Sequence, residues 1–501
     1  MNIKVKFLDI STEPAVLINN EDALKIGGKD NDRVRVEGKG STTALLNVSD
    51  FVCPGEAILS SNLKDKIKAS DGDELNIVYA SSPESVRNIR KKMDNEKLSK
   101  EEISAIVTDI LENRLSKIEI SAWLTALYIN CMDIDEIAAF TEAMVDTGDR
   151  VVFDRSPVYD FHSMGGVPGN KITPIVVSIV AAAGFMLPKT SSRAISSACG
   201  TSDFVETFCD VEMDAETLKR ISEKVGGVLA WGGAMNLAPV DDLVIKVEHP
   251  LGINPRAQML ASILSKKLAI GATHLVMDIP TGSGTKVPTI EVARTYARDF
   301  MDLGEKLGIH IECAITYADQ PVGSAIGPKL EARECIRILE GEKHPASVIE
   351  KACDIAGIIL EMGGVANGGE KARELLDSGA AMKKFREIVA AQGGNRDIKS
   401  SDLVPGAYVT EVISSKSGYV HAISNKDLVS IAKAAGSPSD KGAGIILMKK
   451  KGQRVEKGDV LFEIYGDNEA KVDRAKELAA KYKPYEIEGM LLKRVTAPRT
   501  R

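Results

Sequence analysis

Three glycine-bearing stretches near the middle of the chain carry residue types suited to holding anions. They are DFHSMGGVPGNKIT from Asp160 to Thr173, KTSSRAISSACGTSDFVE from Lys189 to Glu206, and PTGSGTK from Pro280 to Lys286. Glycine lacks a Cβ, so backbone N–H groups can converge on one oxyanion, while Ser, Thr and Lys add donors and charge. Any one such loop taken alone reads equally well as a turn. Gly165 to Gly169 lacks P-loop spacing, and no loop shows G-x-G-x-x-G with a later ribose-binding acid. The middle stretch is harder to dismiss. Ser191, Ser192, Arg193, Ser196, Ser197 and Thr201 crowd donors into a short segment, and helix capping needs only one or two hydroxyls. A phosphate-rich site is the reading these residues favour.

The elements that must position the loops follow from periodicity. From about 155 to 400, strand-like runs such as HLVMDIP and IECAITYAD alternate with long helical segments, which predicts an α/β unit with a mainly parallel sheet and ligands at the carboxyl ends of its strands. Before it, residues 1–84 hold short β-type runs (VKFLDI, AVLI, RVRVEG, ALLNV, AILSS, ELNIVYA) separated by Gly, Asp and Asn turns, the pattern of a small barrel or sandwich. Between the two, Ser99-x-x-Glu102, Ser116-x-x-Glu119 and Asp133-x-x-Glu136 are capping boxes that each open an apolar helical repeat. They predict a helical domain over 85–154. After about 405 the pattern is β-rich again, with GYVHAI and KKKGQRVEKGDVLFEIYG enclosing one helix and another following, a C-terminal α+β domain. The segment ITPIVVSIVAAAGFMLP, 172–188, is too short and too interrupted for a membrane span and reads as a buried helix.

Composition excludes several classes. With 64 Lys plus Arg against 71 Asp plus Glu, net charge −7, the 501-residue chain has no long-range field to attract nucleic acid or an anionic membrane. Any anion is therefore bound locally. Seven cysteines (53, 131, 199, 209, 313, 335 and 353) stand singly with no CxxC pair and no His at metal-ligand spacing, which predicts buried thiols, a reducing cytoplasm and no metal site. The N-terminus MNIKVKFLDI lacks the features of an export signal.

The run S-S-R-A-I-S-S-A-C-G-T-S-D-F-V-E, with HSMGGV before it and ASILSKKLA at 261–269 after it, resembles the thymidine/pyrimidine nucleoside phosphorylase family over roughly residues 88–500. The resemblance implies a helical domain, joined by about 238–270, facing an α/β domain across a cleft. Phosphate binds the α/β side and the nucleoside base the helical side. Carried over by position, it makes Gly166, Ser192, Arg193, Ala194, Ile195, Ser196, Ser197, Thr201, Ser262 and Lys286 the nucleotide-binding set. Ser163 and Thr173 are placed near the same anions by their positions around the first loop, and the match of ASILSKK to the family's base-side helix implies that Lys266 faces the cleft. Two departures narrow the substrate. Thymidine phosphorylases resemble this chain but carry Lys where it has Phe161 and Arg where it has Val247. The β-rich extension over 1–84 resembles instead the archaeal-type AMP phosphorylase branch. That branch converts AMP and phosphate to adenine and ribose 1,5-bisphosphate and uses the extension to join dimers into larger assemblies, so a homodimer core is implied. Inorganic phosphate is then a co-substrate, and no cofactor is required.

The reaction so implied releases adenine, a poor leaving group unless protonated, so an acid should face the base. The branch places an Asp there, but in EHPLGINPRAQ the matching position is Asn254, whose amide can donate a hydrogen bond without delivering a proton. His249 is a candidate by proximity in sequence, against the commoner structural role of a lone histidine. His162 is equally a core histidine, and a pair such as Lys266–Lys267 is most commonly a solvated helix end, against the family match that turns Lys266 toward the cleft. Two alternatives stay open: a pyrimidine nucleoside phosphorylase, and a biotinyl- or lipoyl-type carrier, since V-E-K-G-D-V-L-F-E-I resembles half of such a domain and LMKKKGQ offers lysines for attachment.

Overall fold

In the computed structural model, which describes residues 1–10, 13–194, 197–491 and 494, the first of two units comprises Met1–Asp149 and Ala238–Lys266. Six strands open it: β1 (Asn2–Leu8), β2 (Ala15–Ile18), β3 (Arg33–Glu37), β4 (Ser41–Val48), β5 (Glu56–Ser60) and β6 (Glu74–Tyr79). They close into a barrel in the order β1-β5-β2-β4-β3-β6, which leaves no unpaired edge. Alternation along each strand turns Val5, Val16, Val34, Val36, Leu46, Leu59 and Ile77 inward, all of them buried. The helix Asn20–Ile26, capped by the Asn19 side chain, is an addition to the sequence expectation. It spans only seven residues, too few for its apolar stripe to repeat.

Four helices follow the barrel: Ser85–Met93, Lys100–Leu111, Lys117–Asn130 and Ile134–Asp146. All three capping boxes form, each with reciprocal side-chain and backbone bonds, so the local signal and the tertiary structure agree at these three starts. Trp123 and Phe140 meet edge to face at 5.8 Å in the core between them. A buried pair, Lys92 with Glu136 at 3.0 Å, links two of the helices, and an ion pair from Arg33 to Glu119 ties the barrel to this bundle. The chain returns to the unit in two further helices, Pro239–Leu251 and Arg256–Ala269, the second leaving it at Lys266.

The second unit, Arg150–Leu237 with Lys267–Arg501, contains the glycine-bearing stretches. Strands β7 (Tyr159–Ser163), β8 (Leu187–Ser191), β9 (Gly227–Trp231), β10 (His274–Thr281) and β11 (His310–Tyr317) form two sheets, β11-β10-β7 and β8-β9, parallel throughout. The apolar run after the first loop is a helix only over Thr173–Ala182, and its tail turns at Gly184 and enters β8. The sequence expectation of one helix to 188 is corrected here: Gly184 at φ +89° stops the helix, and Leu187 then joins the sheet. Helices Ala346–Met362 and Ala380–Ala391 cover the sheets, joined through the large core around Ile175, Ile179, Ile359 and Phe385.

The C-terminal part adds antiparallel strands. Val460–Gly466 pairs with Tyr408–Ile413 on one side and with Gly444–Leu447 on the other, and Gly418–Ile423 pairs with Tyr485–Glu488. Helices Asn425–Ala434 and Glu469–Tyr482 pack with them on a core of their own. All seven cysteines are free, but Cys53 and Cys131 are exposed, contrary to the expectation of buried thiols. Among the described residues no helix is long and apolar enough to cross a membrane, and no cluster of three or more His, Cys, Asp or Glu could hold a metal ion.

Candidate active site

Each anion-suited loop leaves the carboxyl end of a parallel strand, as the alternation implied. The first leaves β7 at Ser163, which lies opposite Asp278 on β10, and the third leaves β10 just beyond it. The two loops meet. Gly166 sits at φ +108°, a conformation that suits glycine, and a Cβ placed there would lie 3.8 Å from the Lys286 side chain. The third loop is cinched by Thr285, whose hydroxyl reaches the carbonyls of Gly282 at 2.8 Å and Val287 at 2.7 Å. This leaves Lys286 exposed, with no ion-pair partner among the described residues. Thr173 is buried at the first turn of the helix after the first loop, and Ser163 is half-buried.

The second loop is held by its own backbone and by the C-terminal domain. Asp203 accepts from the N–H groups of Ala194 at 2.7 Å and Gly200 at 2.8 Å, which folds Ser192–Ala194 back over Gly200. The fit is tight: a Cβ on Gly200 would lie 2.6 Å from the Ala194 nitrogen and 2.7 Å from the Ser192 carbonyl oxygen. Ser437 donates to the Ala198 carbonyl at 2.7 Å, so a residue far along the chain braces the loop. Ser197 and Thr201 are half-buried, and the Ser197 hydroxyl donates to the Cys199 carbonyl at 3.2 Å. Ile195 and Ser196 lie outside the described residues.

Arg193 behaves differently from its neighbours in the predicted set. Its guanidinium pairs with Glu206 and with Glu212 (2.9 Å), and lies over the Trp231 ring, 4.6 Å from the centroid. Its charge is neutralised within the fold, so any contact of Arg193 with an anion falls to the backbone.

Behind the loops lies a buried charged group that the sequence reading missed. Asp160, fully buried on β7, accepts from Lys267 at 2.7 Å and Lys189 at 3.3 Å. Phe161, where the resemblance expects lysine, is buried, and the Lys189 ammonium lies 5.0 Å from its ring centroid. Burial pushes the Lys189 ammonium down to about 7, with Asp160 opposing and the Lys267 charge adding to the fall. Lys267 is therefore an internal pair, not a solvated helix end. A related pair holds the first loop from below: Lys171, fully buried, reaches Glu334 and the Ala325 carbonyl.

In the first unit the base-side candidates form their own constellation. Gln258, Ser262 and Lys266 stand four residues apart on one face of the helix Arg256–Ala269. All three address one carboxylate: Asp241, fully buried on the helix Pro239–Leu251, accepts from Gln258 Nε2 at 3.0 Å, Ser262 Oγ at 2.8 Å and Lys266 Nζ at 2.7 Å. Burial works against the Lys266 charge, but Asp241 more than offsets it and the ammonium is raised. Asn254 is exposed in the turn between these helices, its amide 3.7 Å from Met259 Sδ, while His249 is exposed in the last turn of the preceding helix and Val247 is buried.

The lysines proposed as attachment points for a carrier domain are engaged. Lys449 pairs with Asp459 at 2.9 Å and Lys451 with Asp319 at 3.5 Å, while Lys450 donates to the carbonyls of Pro321 and, at 3.0 Å, Gly323. The turn is a brace against the α/β domain and offers no isolated lysine.

Parallel strands feeding hydroxyl-rich loops, a helical bundle and a C-terminal β-rich domain follow one another in the order of the glycosyl transferase family domains the chain matches. Residues 86–148 match the helical bundle domain of a glycosyl transferase family, 155–382 match its α/β domain, and 419–486 match the C-terminal domain of pyrimidine nucleoside phosphorylases. Anthranilate phosphoribosyltransferase from Thermus thermophilus shares the fold, with a TM-score of 0.52 at 21% identity over 61% of this chain and 99% of that one. The particular relatives are closer. The chain is 52% identical to an AMP phosphorylase of Pyrococcus abyssi (98% of this chain, 99% of the relative) and 50% identical to that of Thermococcus kodakarensis (99% of each). It is 47% identical to AMP phosphorylase 1 of Archaeoglobus fulgidus over 95% of each. The chain belongs to the AMP phosphorylase branch of the pyrimidine nucleoside phosphorylase family.

Proposed function

We propose that this chain cleaves the N-glycosidic bond of AMP with inorganic phosphate, releasing adenine and ribose 1,5-bisphosphate. The observation that carries the reading is the meeting of Gly166 and Lys286 at the strand ends, in a chain 50% identical from end to end to an AMP phosphorylase. In this reading the loops around Ser163, Gly166, Thr173, Ser192–Ser197, Thr201 and Lys286 hold two phosphoryl groups, the 5′-phosphate of the nucleotide and the attacking phosphate. Ser262 and Lys266 serve the nucleoside side.

As the glycosidic bond lengthens, positive charge develops on the ribose, and oxygens of the attacking phosphate stabilise it. Holding phosphate and C1′ in line removes much of the entropic cost of a bimolecular step, worth several kcal/mol of barrier, on the order of 7 or more in favourable geometry. Asn254 occupies the branch's proton-donor position and supplies an amide hydrogen bond to the base, with the proton itself drawn from water. The reaction needs no cofactor beyond its phosphate co-substrate. The setting is the cytoplasm, in nucleotide breakdown, and the assembly is a homodimer core extended through the barrel. Incubation with phosphate and, separately, AMP, CMP, UMP and thymidine tests the reading. Phosphate-dependent release of free adenine from AMP is expected, whereas release of thymine from thymidine with none from AMP would overturn it.

A further inference from the structure

A cleft of about 580 Å³ opens in the second unit beside the helix Ala380–Ala391, lined by Lys383, Arg386, Arg396, Glu340 and Asp397 among others. None of the loop residues assigned to AMP and phosphate lines it. The volume lies within the range of small-molecule sites, about 300–1,000 Å³.

Its cations are unusual for this part of the surface. Nearby, Lys343 and Arg373 both pair with Asp377 at 2.7 and 3.2 Å, and Lys384 pairs with Glu387 at 2.6 Å. Lys383, Arg386 and Arg396, by contrast, have no ion-pair partner among the described residues. Arg386 Nε is withdrawn from solvent and has no hydrogen-bond acceptor. The helix N-terminus borders the same cleft: Gly379 and Met382 line it, and the first turn has neither a side-chain cap nor an acidic residue.

The carboxylates decide the class of ligand. Glu340 is fixed by the Ser400 N–H at 3.1 Å and hydroxyl at 2.6 Å, and Asp397 stands beside the cationic group. Any phosphoryl group gains from the cations and is opposed by these acids, and a bare phosphate has few hydroxyls with which to satisfy them. A phosphate monoester bearing hydroxyls satisfies both, with its phosphoryl oxygens accepting from Lys383, Arg386 and Arg396 and its hydroxyls donating to Glu340 and Asp397. We propose that this cleft is a second binding site, distinct from the glycine-bearing loops, for a sugar phosphate.

Ribose 5-phosphate, and in a parallel arm inorganic phosphate, titrated calorimetrically into full-length chain tests this. The background is Lys286→Gln, which weakens the loop site, with and without added Lys383→Gln and Arg396→Gln. Both added positions are exposed, and matching melting curves confirm that the fold survives. The chain with the cleft intact should bind one more equivalent of ribose 5-phosphate than the chain with it neutralised, and inorganic phosphate should bind there at least tenfold more weakly. Equal stoichiometry and affinity in the two chains would overturn the site. Phosphate binding there as tightly as the sugar phosphate would overturn the assignment of the ligand. Arg396→Glu alone, a single exposed change, should lower affinity for ribose 5-phosphate at least tenfold, and an unaltered affinity would count equally against the proposal.

Discussion

Replacing Asp241 with Asn removes one charge from the centre of the first unit's constellation while keeping the side-chain shape. The carboxylate holds Gln258, Ser262 and Lys266 at 2.7–3.0 Å. An amide offers one oxygen to those three donors and turns its NH₂ toward at least one of them. Charge-assisted hydrogen bonds contribute about 1.5–3 kcal/mol each. The Lys266 side chain is 29% exposed, and water compensates part of the loss, so the lower end, about 1.5–2 kcal/mol, is the appropriate figure. At 1.4 kcal/mol per decade this is roughly a 10- to 30-fold loss. If Asp241 presets Ser262 and Lys266 for the nucleotide, the loss falls on KM for AMP in an adenine-release assay, with KM for phosphate little changed. Lys266→Met should cost a similar amount, and the double variant should cost less than the sum, because both changes remove the Asp241–Lys266 pair. A lowered melting temperature with KM for AMP unchanged would refute the reasoning, leaving Asp241 a purely structural group.

Asn254→Asp restores a titratable acid at the branch's proton-donor position, and turnover on AMP should rise, while an unchanged or lower rate would count against that position. Gly200→Ala places a methyl within 2.6 Å of the Ala194 nitrogen, so Ser192–Ala194 must shift, at about 1–3 kcal/mol of overpacking strain; kcat/KM should fall at least tenfold, measurable with AMP at saturating phosphate. Burial lowers the Lys189 ammonium to about 7 in the folded chain, against about 10.4 when unfolded. Between these values the unfolded state binds more protons, so this group makes stability rise with pH, by up to about 1.4 kcal/mol per unit, and contributes no slope below about 7. Lys189→Met should therefore flatten the dependence of melting temperature on pH between 7 and 9; parallel curves for the two proteins would contradict it.

What the sequence disclosed was mostly local. The capping boxes at Ser99, Ser116 and Asp133 are set by residues three apart, and all three form. The six β-type runs of residues 1–84 are the six barrel strands, because alternation is a property of each strand alone. The contacts that hold the site together were not legible, since they join residues far apart in sequence. Asp160 meets Lys267 across 107 positions and Ser437 reaches Ala198 across 239. Asp241 could be suspected only by knowing that its helix packs against Arg256–Ala269. Arg193 shows the opposite failure. Its type and its place in the hydroxyl-rich run suggested an anion contact, but Glu206 and Glu212, 13 and 19 residues onward, had already claimed its charge.

The account rests on two phosphoryl groups being held together beside one glycosidic bond. Phosphorus NMR of the full-length chain turning over AMP with isotopically labelled inorganic phosphate tests it most directly. The expected result is a product carrying two phosphate esters, with the label on the oxygen bonded to C1 of ribose and the original phosphate still at C5. Formation of adenine with ribose 5-phosphate and unconsumed labelled phosphate would mean that water is the nucleophile, and the account would fail.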